Sequence, residues 1–320
     1  MIAIEQERRS PAGHAGVHTS ACHPDNPTIG GIGHEQFRAG SGTGVPRSAM
    51  ARDRAAAVLA ALADCRLCAH DCGVNRLTGE TGLCRSGCDA RIFSAQVEVA
   101  DELELIPTFA IALSGCDLRC DFCITGAASW NARAGEPLRP ELLAGRANAA
   151  LADGARTVMI LGGEPTIHLP AALEIVAALP DSAKLVWKTN AHGSAQAREW
   201  LDGMFDVWLA DYKFGNDACA LRLAKIPDYI RVVQENLFWA NEHGELIVRH
   251  LLMPGHGECC WKPVAEWLAM NLPGVKVNLR AGFWPAWHSA RHAELRRTVS
   301  EIESERALAI AREYCLNLVE

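Results

Sequence analysis

Cys116, Cys120 and Cys123 stand close together in the run Ser114-Gly115-Cys116-Asp117-Leu118-Arg119-Cys120-Asp121-Phe122-Cys123, with an aromatic directly before the last of them. Three thiolates so placed can hold three corners of a cubane iron–sulfur cluster, leaving the fourth iron open to chelate a small molecule and pass it one electron. A structural zinc site would need a fourth protein ligand, and the next Cys or His after Cys123 is His168. Disulfides fit poorly: the start, Met1-Ile2-Ala3-Ile4-Glu5-Gln6-Glu7-Arg8-Arg9, lacks the apolar core of an export signal, and 13 cysteines in clustered groups read as metal or redox chemistry in a reducing compartment. The spacing predicts a catalytic cluster.

Two further constellations carry chemistry. Cys65-x2-Cys68-x3-Cys72-x11-Cys84, with Cys88 spare, sets four thiolates in a compact Gly-rich segment. Such a set binds metal: zinc would brace a small module that lacks its own core, and a second iron–sulfur cluster would either brace it or relay electrons. The segment Gly162-Gly163-Glu164-Pro165-Thr166 follows an apolar run; paired glycines let carbonyls approach a ligand, and Glu164 offers a negative charge to an ammonium. Cys259 and Cys260 read as inert loop residues or as a further ligand pair, and Cys22, Cys219 and Cys315 as incidental.

The elements that must position these groups alternate. Strand-like runs at 108–114, 157–161, 184–189, 207–211, 246–252 and 275–279 are separated by helix-like segments at 140–153, 170–179, 195–203, 218–224 with 228–242, and 262–271, and a last helix is expected over 289–312. This repetition predicts an α/β fold, a partial (β/α)6 TIM-like barrel of parallel strands with right-handed crossovers. Reactive groups in such a sheet sit at the C-terminal strand ends, where the motifs fall: the cysteines after the first strand, Gly163 and Glu164 after the second, Thr189 and Asn190 after the third, Asp211 and Lys213 after the fourth, His250 and His256 after the fifth. Arg249 and His250 alternate faces, so one of them points inward, and His250 is expected to. Ahead of the barrel, a flexible leader is expected over 1–48, rich in Gly, Pro and Ser, with His14, His18, His23 and His34 solvated rather than metal-binding. A helix near 51–64 and the cysteine module complete a second region, 49–100, before the barrel at 101–320.

The Cys-x3-Cys-x2-Cys run and the Gly-Gly-Glu segment together resemble the signature of the radical S-adenosylmethionine (SAM) superfamily. Within it, Cys65-Arg66-Leu67-Cys68-Ala69-His70-Asp71-Cys72-Gly73-Val74-Asn75-Arg76, Gly79-Glu80-Thr81-Gly82-Leu83-Cys84, Leu209-Ala210-Asp211-Tyr212-Lys213 and Arg249-His250-Leu251-Leu252-Met253-Pro254-Gly255-His256 resemble the pyruvate formate-lyase activating enzymes, in a branch with additional cysteines ahead of the barrel. The resemblance implies a 4Fe–4S cluster on Cys116, Cys120 and Cys123 and SAM beside it. Gly162, Gly163 and Glu164 would receive the methionine amino group, and Phe122 would lie near the adenine or pack in the core. Thr189, Asn190, Asp211 and Lys213 would meet ribose or carboxylate, and His250 and His256 SAM or substrate. The chain departs from these relatives at Ile124-Thr125, where a Gln-Asn pair is usual, and at Arg280-Ala281-Gly282-Phe283-Trp284-Pro285, where Gln-Tyr-x-Pro is expected. Phe283, Trp284 and Trp287 would wall the substrate cavity, cap the barrel bottom or face an interface.

The implied activity is reductive cleavage of SAM to a 5′-deoxyadenosyl radical for hydrogen abstraction, with a one-electron donor such as flavodoxin or ferredoxin. Glycyl-radical activation of a partner protein is the leading version, and a small-molecule or peptide substrate the alternative. A non-catalytic iron–sulfur or zinc redox sensor is the competing class, which has no need of Gly163, Glu164, Asp211 and Lys213. Composition bounds the rest: 320 residues with 49% hydrophobic content can bury one barrel-sized core, and a formal charge of -7 without a basic run argues against nucleic acid. No apolar stretch is long enough to span a membrane, so a cytoplasmic protein is expected.

Overall fold

The computed structural model describes residues 44–100 and 102–320. Most of the expected leader, with Cys22, His14, His18, His23 and His34, lies outside the described residues. α1 (Arg47–Ala61) includes Arg47 and Ser48, the last two residues of that expected span. The chain then runs through β1 (Arg91–Glu98), β2 (Thr108–Leu113), α2 (Ala127–Trp130), β3 (Glu136–Pro137), α3 (Pro140–Ala152), β4 (Thr157–Gly162), α4 (Leu169–Ala177), β5 (Leu185–Thr189), α5 (Ala195–Leu201), β6 (Val207–Asp211), α6 (Asp217–Ala224), α7 (Tyr229–Glu242), β7 (Glu245–Leu251), α8 (Lys262–Asn271), β8 (Lys276–Arg280), α9 (Glu301–Glu313) and β9 (Asn317–Leu318).

These strands form one open sheet in the order β3-β1-β2-β4-β5-β6-β7-β8-β9. From β2 to β9 every pairing is parallel, whereas β1 runs antiparallel to β2 and β3 antiparallel to β1. The six strands expected from the sequence form the parallel part together with the short β9 at its edge, and the sheet does not close on itself: a partial barrel. All six residues of β2 are buried, as a parallel strand covered on both faces requires. β1 was not anticipated. It is a partly exposed antiparallel strand whose burial alternates irregularly across a register shift between Ile92 and Ser94.

Residue alternation makes the barrel interior apolar at the floor and polar at the rim. Outward residues Val158, Ile160, Leu185, Trp187, Trp208, Ala210, Leu246, Val248 and Val277 pack into the main core, while Met159, Val186, Leu209 and Ile247 form a second cluster within. One further inward step along the strands gives Lys188, Asp211, Arg249, Asn278 and Arg280, which line a cavity at the C-terminal ends.

The expected helix over 289–312 is broken. Short 3₁₀ turns occupy Ser289–Arg291 and Ala293–Arg296, and α9 starts afresh at Glu301 behind a capping box in which the Ser300 hydroxyl accepts from the Glu303 N–H and the Glu303 carboxylate accepts from the Ser300 N–H. The described residues fall within one compact unit, and the cysteine module is docked on the barrel. Ala69 N–H donates to the His192 carbonyl (3.0 Å) and Ser194 N–H to the Leu67 carbonyl (3.1 Å).

Candidate active site

The loop after β2 carries Cys116, Cys120 and Cys123 into a cavity of about 800 Å³ that they line with Phe122, Gly162, Gly163, Thr189, Asn190, Asp211 and Lys213. All three are free thiols; Cys116 and Cys120 are buried and Cys123 half-buried. Burial pushes the Cys116 thiol well above its ordinary range and the Cys120 thiol up to about 12, with Lys213 pulling Cys120 partly back. Thiolates so enclosed form against a metal cation.

The loop is tied on every side. Ser114 N–H donates to the Arg91 carbonyl (2.8 Å), Arg119 N–H to Ala224 (3.0 Å) and Asp121 N–H to Leu223 (2.8 Å), so the C-terminus of α6 serves as its backing. The Asp121 carboxylate, buried, accepts from His292 (2.8 Å), Lys225 (3.0 Å) and Arg291 (3.2 Å). On the other side Asp117 accepts from Asn190 (2.7 Å) and pairs with His192 Nδ1 (2.7 Å), while His70 of the cysteine module contacts the Asp117 carbonyl (3.1 Å). Asp117, His192 and His70 were missed in the sequence, because their meeting depends on how the module docks.

The glycine pair is required by the backbone. Gly162 has φ +147°, and a Cβ there would lie 2.2 Å from the Leu113 carbonyl oxygen; at Gly163 it would lie 1.9 Å from that of Gly115. Both glycines therefore let the end of β4 pack on the root of the cysteine loop. Glu164 is placed differently from expectation. Its buried carboxylate accepts from the Thr166 N–H (3.0 Å) and hydroxyl (2.6 Å), the Thr189 hydroxyl (2.8 Å) and the Asn190 N–H (2.7 Å). It knots the ends of β4 and β5 together and stands behind the cavity wall.

His250 corrects the inward expectation. Strand alternation sends Ile247, Arg249 and Leu251 inside, with Arg249 and Leu251 on the cavity, while His250 is buried outside the barrel, its Nδ1 2.7 Å from the Tyr212 carbonyl and its ring 5.0 Å from that of Trp261. Arg249 pairs with Glu102 (2.8 Å) and lies 4.0 Å from Asp211, which also pairs with Lys213. His256 likewise leaves the cavity and meets Cys219, Cys259 and Cys260. Phe122 both lines the cavity and packs on Phe214 and Phe283, with ring centroids 6.0 and 6.3 Å away. Phe283 and Trp284 are cavity wall, whereas Trp287 meets Trp130 edge-on and lies against Gly126.

The front cysteines Cys65, Cys68, Cys72 and Cys84 are free thiols, two buried and two half-buried. Cys84 and Cys72 lie near enough to Cys68 to add to the burial that raises its thiol. Arg76, buried among them, donates to the carbonyls of Ile167 (2.7 Å) and Gly87 (3.1 Å) and lies 3.6 Å from Cys65 Sγ.

The sequence profile described as the Radical SAM superfamily matches residues 111–268, from the middle of β2 into α8. The uncharacterized protein MJ0674 of Methanocaldococcus jannaschii is 30% identical over 266 residues, 80% of this chain and 76% of that protein. The chain belongs to the radical SAM superfamily. Among solved structures, Streptococcus suis SuiB bound to S-adenosylmethionine aligns with TM-score 0.49 and 17% identity over 64% of this chain. This chain spans about half of SuiB, 47% of its length. A domain of pyruvate-formate lyase-activating enzyme from Bacteroides vulgatus aligns with TM-score 0.40 and 19% identity, over 51% of this chain and 97% of that domain.

Membership in this superfamily implies an enzyme that uses SAM together with a 4Fe–4S cluster. The residues present suit both groups. Three free thiols converge on one cavity, whose polar rim holds Lys188, Lys213, Arg249 and Arg280 for a carboxylate and Thr189, Asn190 and Asn278 for hydroxyls. No described helix is long and apolar enough to cross a membrane.

Proposed function

We propose that this radical SAM protein abstracts a hydrogen atom from a polypeptide segment that reaches into the cavity over Ile124 and Trp284. Cys116, Cys120 and Cys123 are the proposed cluster ligands. When bound, the cluster and SAM supply one-electron cleavage of the sulfur–C5′ bond and hence a hydrogen-abstracting radical. Asn190, whose amide lies 3.7 Å from Cys116 Sγ, bridges that ligand to Asp117. Lys213 and Arg249 supply positive charge for the cofactor carboxylate, and Thr189 and Asn190 present polar groups to it. Phe122, Phe283 and Leu118 keep one wall apolar and exclude water, which protects a reactive intermediate.

The mouth carries the substrate reading. Ile124 is 79% exposed and Trp284 67% exposed, both on the cavity lining. Large apolar side chains held at a cavity mouth fit a macromolecular surface better than a small polar molecule. Glycyl-radical activation of a partner protein is the version this favours, with flavodoxin or ferredoxin as electron donor. The front cysteines, Cys65, Cys68, Cys72 and Cys84, are assigned to a second metal centre, zinc or iron–sulfur, and the free thiols suit a reducing cytoplasm.

Anaerobic reconstitution with iron and sulfide, followed by dithionite and SAM, is expected to yield 5′-deoxyadenosine, and Cys120→Ala to abolish it. A redox sensor would produce none. With a deuterated glycyl-radical partner protein or peptide, deuterium should enter 5′-deoxyadenosine; transfer from small molecules alone would overturn the polypeptide reading. Metal analysis of a Cys116, Cys120 and Cys123 triple variant reports zinc or residual iron in the front module.

A further inference from the structure

Four ligand-type side chains from two segments converge beside the barrel: Cys219 on α6, and His256, Cys259 and Cys260 at the cap and within the π-helical turn Gly257–Trp261 that opens α8. Their ligand atoms all lie within 4.8 Å of one another. Cys259 Sγ is 4.0 Å from Cys219 Sγ and 3.9 Å from Cys260 Sγ, and His256 Nδ1 is 3.7, 3.4 and 3.4 Å from the sulfurs of Cys219, Cys259 and Cys260. A tetrahedral ion with zinc–sulfur bonds of about 2.3 Å and a zinc–nitrogen bond of about 2.0 Å sets sulfur–sulfur edges near ~3.8 Å and sulfur–nitrogen edges near ~3.6 Å. The two sulfur–sulfur edges, 4.0 and 3.9 Å, lie just above their value, and the sulfur–nitrogen edges fall on both sides of theirs. A single ion fits this spacing.

The surroundings hold the ligands in place. Asn216 caps α6 by accepting from the Cys219 N–H (2.8 Å) and donates its amide to the Cys259 carbonyl (2.7 Å), so one side chain fixes two ligand-bearing segments. Cys260 N–H donates to the His256 carbonyl (2.9 Å), folding the turn back on the histidine. A Cβ at Gly215 would lie 2.3 Å from the Cys260 carbonyl oxygen, so the segment after β6 rests directly on this turn. With Nδ1 facing the thiols, His256 turns Nε2 toward the Glu294 carboxylate (3.6 Å) and Arg222 (3.2 Å). With a metal on Nδ1 the proton sits on Nε2, where Glu294 and not Arg222 can accept it as the usual outer support; the guanidinium, paired with Glu294 (2.6 Å), offsets the net negative charge of three thiolates on a divalent ion. His256 and Cys260 are buried, Cys219 is half-buried and Cys259 exposed, leaving an entry path.

We propose that Cys219, His256, Cys259 and Cys260 bind one zinc ion that clamps α6 to the turn between β7 and α8. All four corners are filled by protein, so the ion is structural. Its effect reaches the active site through α6, whose last residues accept the N–H groups of Arg119 and Asp121 in the cysteine loop. This inference does not depend on the proposed reaction.

Zinc and iron are to be measured per chain in full-length protein purified anaerobically from zinc-supplemented cells, for the wild type and for Cys259→Ala, Cys260→Ser and Cys259→His. Loss of one zinc equivalent is expected in Cys259→Ala and Cys260→Ser. Retention is expected in Cys259→His, whose imidazole replaces the missing ligand at the exposed corner. A soluble Cys259→Ala protein with unchanged zinc overturns the site, as does a Cys219–Cys259 disulfide found in the anaerobic wild type by peptide mass mapping. If Cys260→Ser fails to fold, the Ala and His variants at Cys259 still decide, because they differ only in a ligand at an exposed position.

Discussion

Glu164 sits where a free anion for the cofactor was expected, yet four protein donors already point at its two oxygens. Burial, with Asp117 adding repulsion, outweighs the pull of the donors toward the charged form, so its carboxyl is held up at about 7. Glu164→Gln would turn an amide NH2 toward donors that need an acceptor. Stability is expected to fall by about 1–3 kcal/mol in urea unfolding, the cost of stranded buried donors; an unchanged midpoint would remove the knot from the account. Two buried histidines set the acid response. His168, whose Nε2 lies 3.0 Å from the Ser114 carbonyl, is pushed down to about 3 by burial and by the charge of Arg76, and burial takes His250 down to about 4. The unfolded chain protonates both near 6.5. Between those values the unfolded state binds more protons, so this contribution to stability is full above pH 6.5 and is lost as pH falls below it. His168→Gln keeps a donor for Ser114 but no titrating group, and its stability should fall less steeply on acidification, by at most ~1.4 kcal/mol per pH unit. Parallel slopes in wild type and variant would refute the assignment.

The parallel strands were legible because burial on both faces leaves continuous apolar runs such as Val158-Met159-Ile160-Leu161. β1 was not, since Arg91–Glu98 mixes polar and apolar residues across a register shift. Single-strand alternation left Arg249 and His250 undecided; only the column Ile247, Arg249, Leu251 facing the floor cluster settles which turns inward. Cys259 and Cys260 could be read as a ligand pair, but His256 was expected at SAM or substrate and Cys219 as incidental; Cys219 joins them through α6 packing, which no local pattern encodes. The cysteine loop and the end of β4 form one packed joint, and that makes a prediction about elements. Gly163→Ala would drive a methyl to 1.9 Å from the Gly115 oxygen, whereas Gly282→Ala meets open space. The first should cost about 1–3 kcal/mol and lower the iron retained after reconstitution, and the second should leave both unchanged. Equal iron in the two variants would mean that the joint does not shape the loop.

Across the whole molecule, the sheet is open and its floor apolar, and Ile124 and Trp284 are exposed on the lining of the cavity that holds the polar rim. Trp284→Ala is expected to lower the fraction of 5′-deoxyadenosine that carries substrate deuterium about tenfold, equivalent to ~1.4 kcal/mol of lost transition-state contact. An unchanged fraction would move the substrate contact elsewhere. The docking of α6 carries a consequence of a different kind. The same short helix that presents Cys219 also backs Arg119 and Asp121 with its final carbonyls. With the proposed zinc ion as the clamp on α6, maturation would have an order. A newly made chain short of the divalent ion would offer iron to a loop not yet braced to receive it, so zinc supply, as much as iron delivery, would govern how much protein becomes competent.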